Sequence, residues 1–197
     1  FGIIDENGTS HYSDGTTADL SDREYVIDAF NGETAMSDIL ISRVTNEPVL
    51  MIATPIDTTT GEKALLLARM DGYVLSDVVK DIQVGKIGYA LIVNEAGTVQ
   101  GHANRDYVKN EMNFITQSQE ADEMKGEAAA IQEIISNDAG FFEFENAENA
   151  RQFIGYYTLN NDWTMAVIAD RSEMMSELLN DLNSSIVIST VIFLILG

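Results

Sequence analysis

The sequence predicts an α+β fold made of two similar modules, each an antiparallel sheet flanked by helices. The main observation is a repeat: residues 3–9 read "IIDENGT", and residues 92–98 read "IVNEAGT". The same order of hairpin, helix and three-strand meander follows each copy. The chain has 197 residues, which is room for two domains of roughly 90 residues each. A repeat of this length indicates two similar domains rather than a solenoid of short units.

Each copy of the repeat predicts a β-hairpin. Asn7 and Gly8 form one of the strongest turn dipeptides, because both residues tolerate a positive φ. Gly97 can supply the same backbone conformation in the second copy. The polar stretches "TSHYSDG" and "TVQGHAN" are predicted to be the returning strands.

After the first hairpin, "LSDREYVIDAFNGE" predicts a helix, with Ser21 and Glu24 as a capping box and Gly32 as a stop signal. A β-rich segment follows over residues 37–71, with strands "EPVLMIATPI" and "KALLLARMD" on either side of the turn "DTTTGE". Residues 74–85 are predicted to form a helical link to the second copy.

After the second hairpin, a helix is predicted at about residues 120–136. The runs "GFFEFEN", "RQFIGYYTLN" and "WTMAVIAD" then predict three strands separated by Asn-rich turns. The last strand of each copy ends on an aspartate, Asp71 and Asp170. Either carboxylate could cap a following helix.

Composition excludes several classes of function. The net charge is −21, from 32 acidic and 11 basic residues, which argues against binding nucleic acid or an anionic lipid surface. The absence of cysteine excludes disulfides and thiolate chemistry. The sequence also lacks a metal-spaced His cluster, a phosphate-binding glycine loop and a G-x-S-x-G elbow. We therefore expect neither an enzyme nor a cofactor or metal.

The C-terminal stretch "SSIVISTVIFLILG" at residues 184–197 has no charged residue. It is shorter than the roughly 20 residues that cross a bilayer, but the sequence stops inside the apolar run. We interpret it as the start of a transmembrane helix in a longer protein, preceded by an exit helix over residues 171–183. The alternative is a buried C-terminal helix of a complete soluble domain.

The order and spacing of these elements resemble the double Cache (dCache) family, the extracellular sensor domains of bacterial chemoreceptors, sensor kinases and cyclic-dinucleotide enzymes. "DLSDREYVIDAF" resembles the family's ligand-facing helix, and "SDILISRVTNEPVLMIATPI" resembles its strand, turn and strand. "ARMDGYVLSDVVKDIQVGKIGYALIVNEAGTVQGH" resembles the passage between its two modules. "YYTLNNDWTMAVIADRSEM" resembles its closing hairpin and exit helix.

The resemblance implies two tandem PAS-like modules leading into a C-terminal membrane helix. It also implies a cell-membrane receptor whose region here is extracytoplasmic, and a homodimer in the full-length protein. The implied domains are residues 1–73, an N-terminally truncated membrane-distal module; 74–85, a linking helix; 86–170, a membrane-proximal module; 171–183, an exit helix; and 184–197, the start of a transmembrane helix.

Many members of this family take amino acids through an Arg-x-Trp-Tyr-x-Asp pattern on the ligand-facing helix and a later Asp. The candidate ligand-binding residues here are accordingly Arg23, Tyr25, Asp28 and Asp71. The chain departs from the pattern at residue 26, where Val replaces Tyr, and at residue 40, where Leu stands in place of another Tyr.

The chemistry of these four side chains suits a small polar ligand such as an amino acid or a carboxylate. Arg23 can hold a carboxylate in a bidentate fork, Asp28 and Asp71 can pair with an ammonium group, and Tyr25 can form an aromatic wall. Each residue also has an ordinary interpretation. Arg23 and Asp28 could be solvent-exposed helix positions, and Asp71 could be a helix cap. The other functional class is an extracellular structural or interaction module without a solute.

Overall fold

The computed structural model describes residues 1–59, 61–159, 161–176 and 178–179. The chain divides into two compact units. The first unit contains Phe1–Val78 and Val99–Met112, and the second contains Val79–Thr98 and the chain from Asn113 onward. The predicted division at residues 73 and 86 stays a prediction. The apolar run at residues 184–197 lies outside the described residues, as do residues 177 and 180–183 of the predicted exit helix; residues 171–176 and 178–179 of it are helical.

The first unit is an antiparallel sheet with one helix lying on it. The sheet has seven strands in the order β3-β2-β1-β7-β6-β4, and β5 pairs with β6. The elements are β1 (Gly2–Ile4), β2 (Thr9–Tyr12), β3 (Thr17–Asp19), α1 (Glu24–Phe30), β4 (Ala35–Met36), β5 (Leu40–Ile41), β6 (Pro48–Ile56), β7 (Ala64–Asp71) and α2 (Val74–Val79).

The core of the first unit lies between α1 and the sheet. Val26 and Ala29 on α1 are fully buried because they pack against alternate residues of the two central strands. The ten buried residues of this core are Ile4, Leu20, Tyr25, Val26, Ala29, Val49, Met51, Ala53, Leu65 and Leu67.

The segment Val99–Met112 completes the first unit, although it follows part of the second unit in sequence. The side chain of Gln100 is buried, and its Oε1 accepts the backbone N–H of Ile39 at 2.6 Å. The backbone N–H of His102 donates to the buried Ser76 hydroxyl at 3.3 Å. Buried polar groups are costly unless they are paired, so these two bonds fix the position of the segment.

The second unit is built around a five-stranded antiparallel sheet in the order β10-β11-β12-β8-β9, with α5 on one face. Ile131 and Ile134 of α5 are buried against it. The elements that follow α2 are β8 (Tyr89–Val93), β9 (Val99–His102), α3 (Asp106–Lys109), α4 (Phe114–Gln117), a 3-10 turn (Asp122–Met124), α5 (Lys125–Ile135), β10 (Ala139–Glu145), β11 (Arg151–Thr158) and β12 (Thr164–Asp170). Of these, β9 and α3 lie in the segment Val99–Met112, which belongs to the first unit.

The two repeated stretches form hairpins with the same hydrogen bonds. The carboxylate of Asp5 accepts the backbone N–H groups of Asn7 and Thr9. The backbone N–H of Asp5 donates to the carbonyl of Thr9 at 3.0 Å. The side chain and N–H of Asn94 make the same three bonds. Gly8 and Gly97 adopt φ of 83° and 79° at matching positions. Each hairpin also lies beside the last strand of its meander, so the predicted repeat is present in the fold.

The α+β architecture with antiparallel sheets is confirmed, but two local predictions were wrong. The predicted capping box at the start of α1 does not form, because the Ser21 hydroxyl donates to Asp19 and the N-cap residue is Arg23. The predicted helical link over residues 74–85 ends at Val79. The chain turns away at Gly85, whose φ of 65° is incompatible with a continuing helix. No helix within the described ranges has the length and apolar character needed to span a bilayer.

Candidate ligand-binding site

The strand register places Arg69 and Asp71 on the face of the first sheet that packs against α1. Arg69 is paired with Met51, and Asp71 with Val49. Because directly paired residues of antiparallel strands project from the same face, both side chains share the face of those two core residues. Both lie beyond the core, where they are exposed to solvent.

The direction of α1 determines which end of this face Arg23 approaches. The C-terminal end of α1, Ala29–Gly32, lies beside the turn between β6 and β7, where it lines a cleft of about 380 Å³ with Pro55 and Leu65. The N-terminal end of α1 therefore points toward the opposite end of these strands. The residue before Arg23 supports this placement: Asp22 is hydrogen-bonded to Arg43, which follows β5, and β5 pairs with the end of β6 at which Val49 is paired with Asp71.

Arg23 is half-buried at the N-cap of α1, and its guanidinium is unpaired. The Nε atom is buried without a hydrogen-bond partner, and the side chain forms no ion pair within the described residues. A buried donor left without a partner typically costs about 1–3 kcal/mol. This cost is notable in a chain with 32 acidic residues, any of which could have supplied a carboxylate.

Of the two acidic residues next to Arg23 in sequence, Asp22 and Glu24, the first is already engaged by another arginine. Arg43 forms a two-pronged ion pair with Asp22, with Nη1 and Nη2 2.7 and 2.6 Å from the two carboxylate oxygens. The same Nη1 donates to the carbonyl of Asp19 at 2.7 Å. The hydrogen bond from Arg43 lowers the pKa of Asp22 to about 2. Asp22 is therefore charged at neutral pH; its carboxylate is hydrogen-bonded to Arg43, whereas Arg23 acts on it only through the attraction of opposite charges.

Tyr25 is buried in the core of the first unit, with 4% of its surface exposed. Burial is the main reason that the pKa of its phenol rises to about 12. The hydroxyl therefore stays protonated at neutral pH and can donate a hydrogen bond. Asp28 is on the exposed part of α1.

Asp71 lines a cleft of about 390 Å³ at the end of β7. One carboxylate oxygen accepts the backbone N–H of Tyr73 at 2.9 Å, in the turn that precedes α2. Asp71 is therefore not the cap of α2, because the carbonyl of Tyr73 accepts the first helical hydrogen bond, from the N–H of Asp77 at 2.9 Å. The other oxygen has no hydrogen bond to any described residue. The cleft is lined by Glu47, Pro48, Val49, Arg69, Met70, Asp71 and Tyr73.

Sequence reasoning missed Arg69 as a member of this cleft, because its face of the sheet depends on the register of β6 and β7. Asp71 lines one of the two clefts described above in the first unit, and Arg23, Tyr25 and Asp28 line neither of these two clefts. The structure thus groups Asp71 with Arg69, and the ligand-binding roles of the four candidate residues stay predictions.

The second unit has a small apolar cavity between α5 and its sheet, with a volume of about 10 Å³. Glu127 lines it: Oε1 accepts the backbone N–H of Ala147 at 2.9 Å, and Oε2 is buried without a partner. The volume matches a single water molecule and is too small for an organic ligand. Over the part of the chain that the structure describes, no cluster of three or more His, Asp or Glu side chains could hold a metal ion.

Comparison with known proteins agrees with this architecture. The model of the Cache domain family dCache_1 matches residues 1–178. No curated protein matches the chain in sequence.

Solved structures share the fold at low sequence identity. The ligand-binding domain of Mlp24 with asparagine is 15% identical, with a TM-score of 0.60 over 87% of this chain and 69% of that one. The ligand-binding domain of the Pseudomonas fluorescens chemoreceptor CtaA, in complex with L-leucine, is 14% identical, with a TM-score of 0.58 over 87% of this chain and 70% of that one. The ligand-binding domain of the Pseudomonas aeruginosa PAO1 amino acid chemoreceptor PctB, in complex with L-Arg, is 18% identical, with a TM-score of 0.55 over 88% and 71% of the two chains.

Proposed function

Because the chain belongs to the Cache domain family, we propose that it is the extracellular ligand-sensing region of a bacterial transmembrane receptor. The ligand is a small solute with a carboxylate, such as an amino acid, and it binds in the first unit. The observation that carries this proposal is the buried Nε of Arg23, which has no partner among the described residues. A ligand carboxylate would satisfy this donor and compensate the charge of the guanidinium.

The surrounding side chains suit such a ligand. In this proposal the buried ring of Tyr25, two residues after Arg23, supplies an aromatic wall, and its protonated hydroxyl is a further donor. Asp71 has one carboxylate oxygen available for an ammonium group. The similar domains of CtaA and PctB were solved with amino acids, which supports the same class of ligand here.

Signalling requires that the ligand bind one conformation better than another, since it can shift an equilibrium only by its difference in affinity for the two states. We propose that ligand binding closes the first unit and that the C-terminal helix carries the change toward the membrane. The chain acts by binding and carries out no catalysis. Chemotaxis is the proposed output, with the receptor working as a homodimer in the cell membrane.

The proposal is tested with Arg23→Gln, which removes the charge but keeps a polar side chain. Amino acids and small carboxylates are first screened by thermal shift, because a specific ligand raises the melting temperature by mass action. For a confirmed ligand, isothermal titration should show that Arg23→Gln weakens binding about ten- to a hundredfold, the equivalent of ~1.5–3 kcal/mol.

The unliganded variant should melt no lower than the parent, because Arg23 makes no bond within the described residues that the substitution could break. Arg151→Gln is the matched control, since this arginine is in the second unit and its ion pair with Glu143, at 3.3 Å, is exposed. If Arg23→Gln binds every ligand as tightly as the parent, Arg23 is not the anchor. A screen without any hit would favour a structural or interaction module.

A further inference from the structure

We infer that Arg69 is a second anion-binding residue of this site, so that the ligand carries two anionic groups: an acidic amino acid or a small dicarboxylate. This inference rests on the proposed function and narrows its ligand class. It starts from the pairing of the arginines. In the described part of the chain, Arg23 and Arg69 are the two arginines without an ion pair; Arg43, Arg105, Arg151 and Arg171 each pair with a carboxylate.

The environment of Arg69 orients its guanidinium without neutralising it. Nη2 donates to the Thr45 hydroxyl at 2.7 Å, which is a neutral acceptor. Glu47 lines the same cleft, but its carboxylate lies 3.5 Å from Nζ of Lys109. The positive charge of Arg69 therefore faces the cleft without a paired carboxylate.

The spacing of Arg69 and Asp71 suits a compact ligand with charges of both signs. Residues two positions apart on a strand project from the same face, with Cα atoms roughly 6.6 Å apart. An acidic amino acid can place its ammonium group at Asp71 and one carboxylate at Arg69, and the other carboxylate is left for Arg23. The cleft volume of about 390 Å³ is within the usual range for small-molecule sites.

Charge also favours a ligand with two anionic groups. The chain has a net charge of −21, so its overall field repels anions. Arg69 on β7 and Arg23 at the N-cap of α1, which form no ion pair with the described residues, would locally oppose this repulsion. A ligand with a single carboxylate leaves one of the two arginines without a counter-charge. The site should therefore bind a ligand with two anionic groups more tightly than a ligand with one, and this difference in affinity is its specificity.

The test uses pairs of nearly isosteric ligands, aspartate with asparagine and glutamate with glutamine, together with succinate. Titration calorimetry on the full chain should show that an acidic member binds at least about tenfold tighter than its amide, the effect of one charge-assisted hydrogen bond. Arg69→Gln should remove this discrimination by weakening the acidic ligand and leaving the amide unchanged. Arg23→Gln should weaken both members of a pair, and Arg151→Gln should change neither.

Two results would overturn the inference. In the first, an amide binds as tightly as its acid, and Arg69→Gln affects both equally or not at all. In the second, none of these acids binds while a ligand with one carboxylate does. In both cases the proposed function stands as long as Arg23→Gln still weakens the ligand that binds. If Arg23→Gln has no effect on any ligand, the proposed function itself fails.

Discussion

Substitutions at Asp71 separate its turn hydrogen bond from its proposed contact with the ligand. Asp71→Asn keeps an oxygen that can accept the N–H of Tyr73, which the carboxylate now accepts at 2.9 Å, but it removes the charge. Asp71→Ala removes both. A lost hydrogen bond of this kind costs about 1 kcal/mol, which lowers the melting temperature of a chain of this length by about 2–4 °C. Asp71→Asn should melt within about 1 °C of the parent, because this hydrogen bond remains.

The affinities of the two variants for the ligand should not follow the order of their melting temperatures. Both variants should lose about ten- to a hundredfold in affinity for aspartate, since each removes the acceptor for the ammonium group. The assay is calorimetry: scanning for the melting temperature, and titration with aspartate for the dissociation constant. Asp170 provides the control, because its carboxylate accepts the N–H of Glu173 at 2.9 Å in the second unit. Asp170→Ala should lower the melting temperature similarly and leave aspartate binding unchanged.

Two results would refute this reasoning. If Asp71→Asn melts as low as Asp71→Ala, the carboxylate stabilises the first unit through its charge and not through the hydrogen bond to Tyr73. If Asp71→Asn binds aspartate like the parent, Asp71 does not contact the ammonium group.

Two further predictions concern packing and pH. Gly126→Ala should destabilise the chain by about 1–3 kcal/mol in chemical denaturation, because a Cβ at this position would overlap the carbonyl of Glu145; a variant as stable as the parent would show that α5 can move away. His102 accepts the N–H of Asn104 through Nδ1 at 2.9 Å, and burial lowers its pKa. The unfolded chain therefore binds the extra proton more readily, so stability should fall as the pH drops from about 7 through the folded-state pKa. His102→Asn keeps an acceptor and removes the titration, so parallel melting curves for parent and variant across this range would contradict the assignment.

Local features were predictable from the sequence where a few neighbouring residues determine the structure. Gly8 and Gly97 identified both hairpin turns, because a positive φ at these positions is a property of the residue itself. The long strands β6 and β7 and the C-terminal meander were also predicted from apolar runs and turn residues. The start of α1 was not predicted correctly. The Ser21 hydroxyl could take part in a capping box with Glu24 or bind Asp19, and in the structure it binds Asp19.

The chemistry of the site was less predictable because it depends on pairs that are distant in sequence. Arg43 engages Asp22 only because the fold brings two loops together, and this leaves Arg23 unpaired. Arg69 faces the cleft because of the register between β6 and β7, and a shift of one residue would place it on the other face. Sequence patterns identify which residues can bind a carboxylate, while the ion pairs decide which of them remain available.

The buried bond between Gln100 and Ile39 has a consequence for the order in which the protein is made. A ribosome releases the chain from its N-terminus, and domains generally fold as units while synthesis proceeds. The first unit is not complete until Met112 has emerged, after the stretch Val79–Thr98, which contains β8 and belongs to the second unit. Until then the N–H of Ile39 lacks its buried acceptor, the side chain of Gln100. The first unit therefore cannot finish folding before this later segment has been translated. The same consequence applies to truncation: a fragment that ends before Val99 has every candidate ligand-binding residue but not the segment that completes their unit.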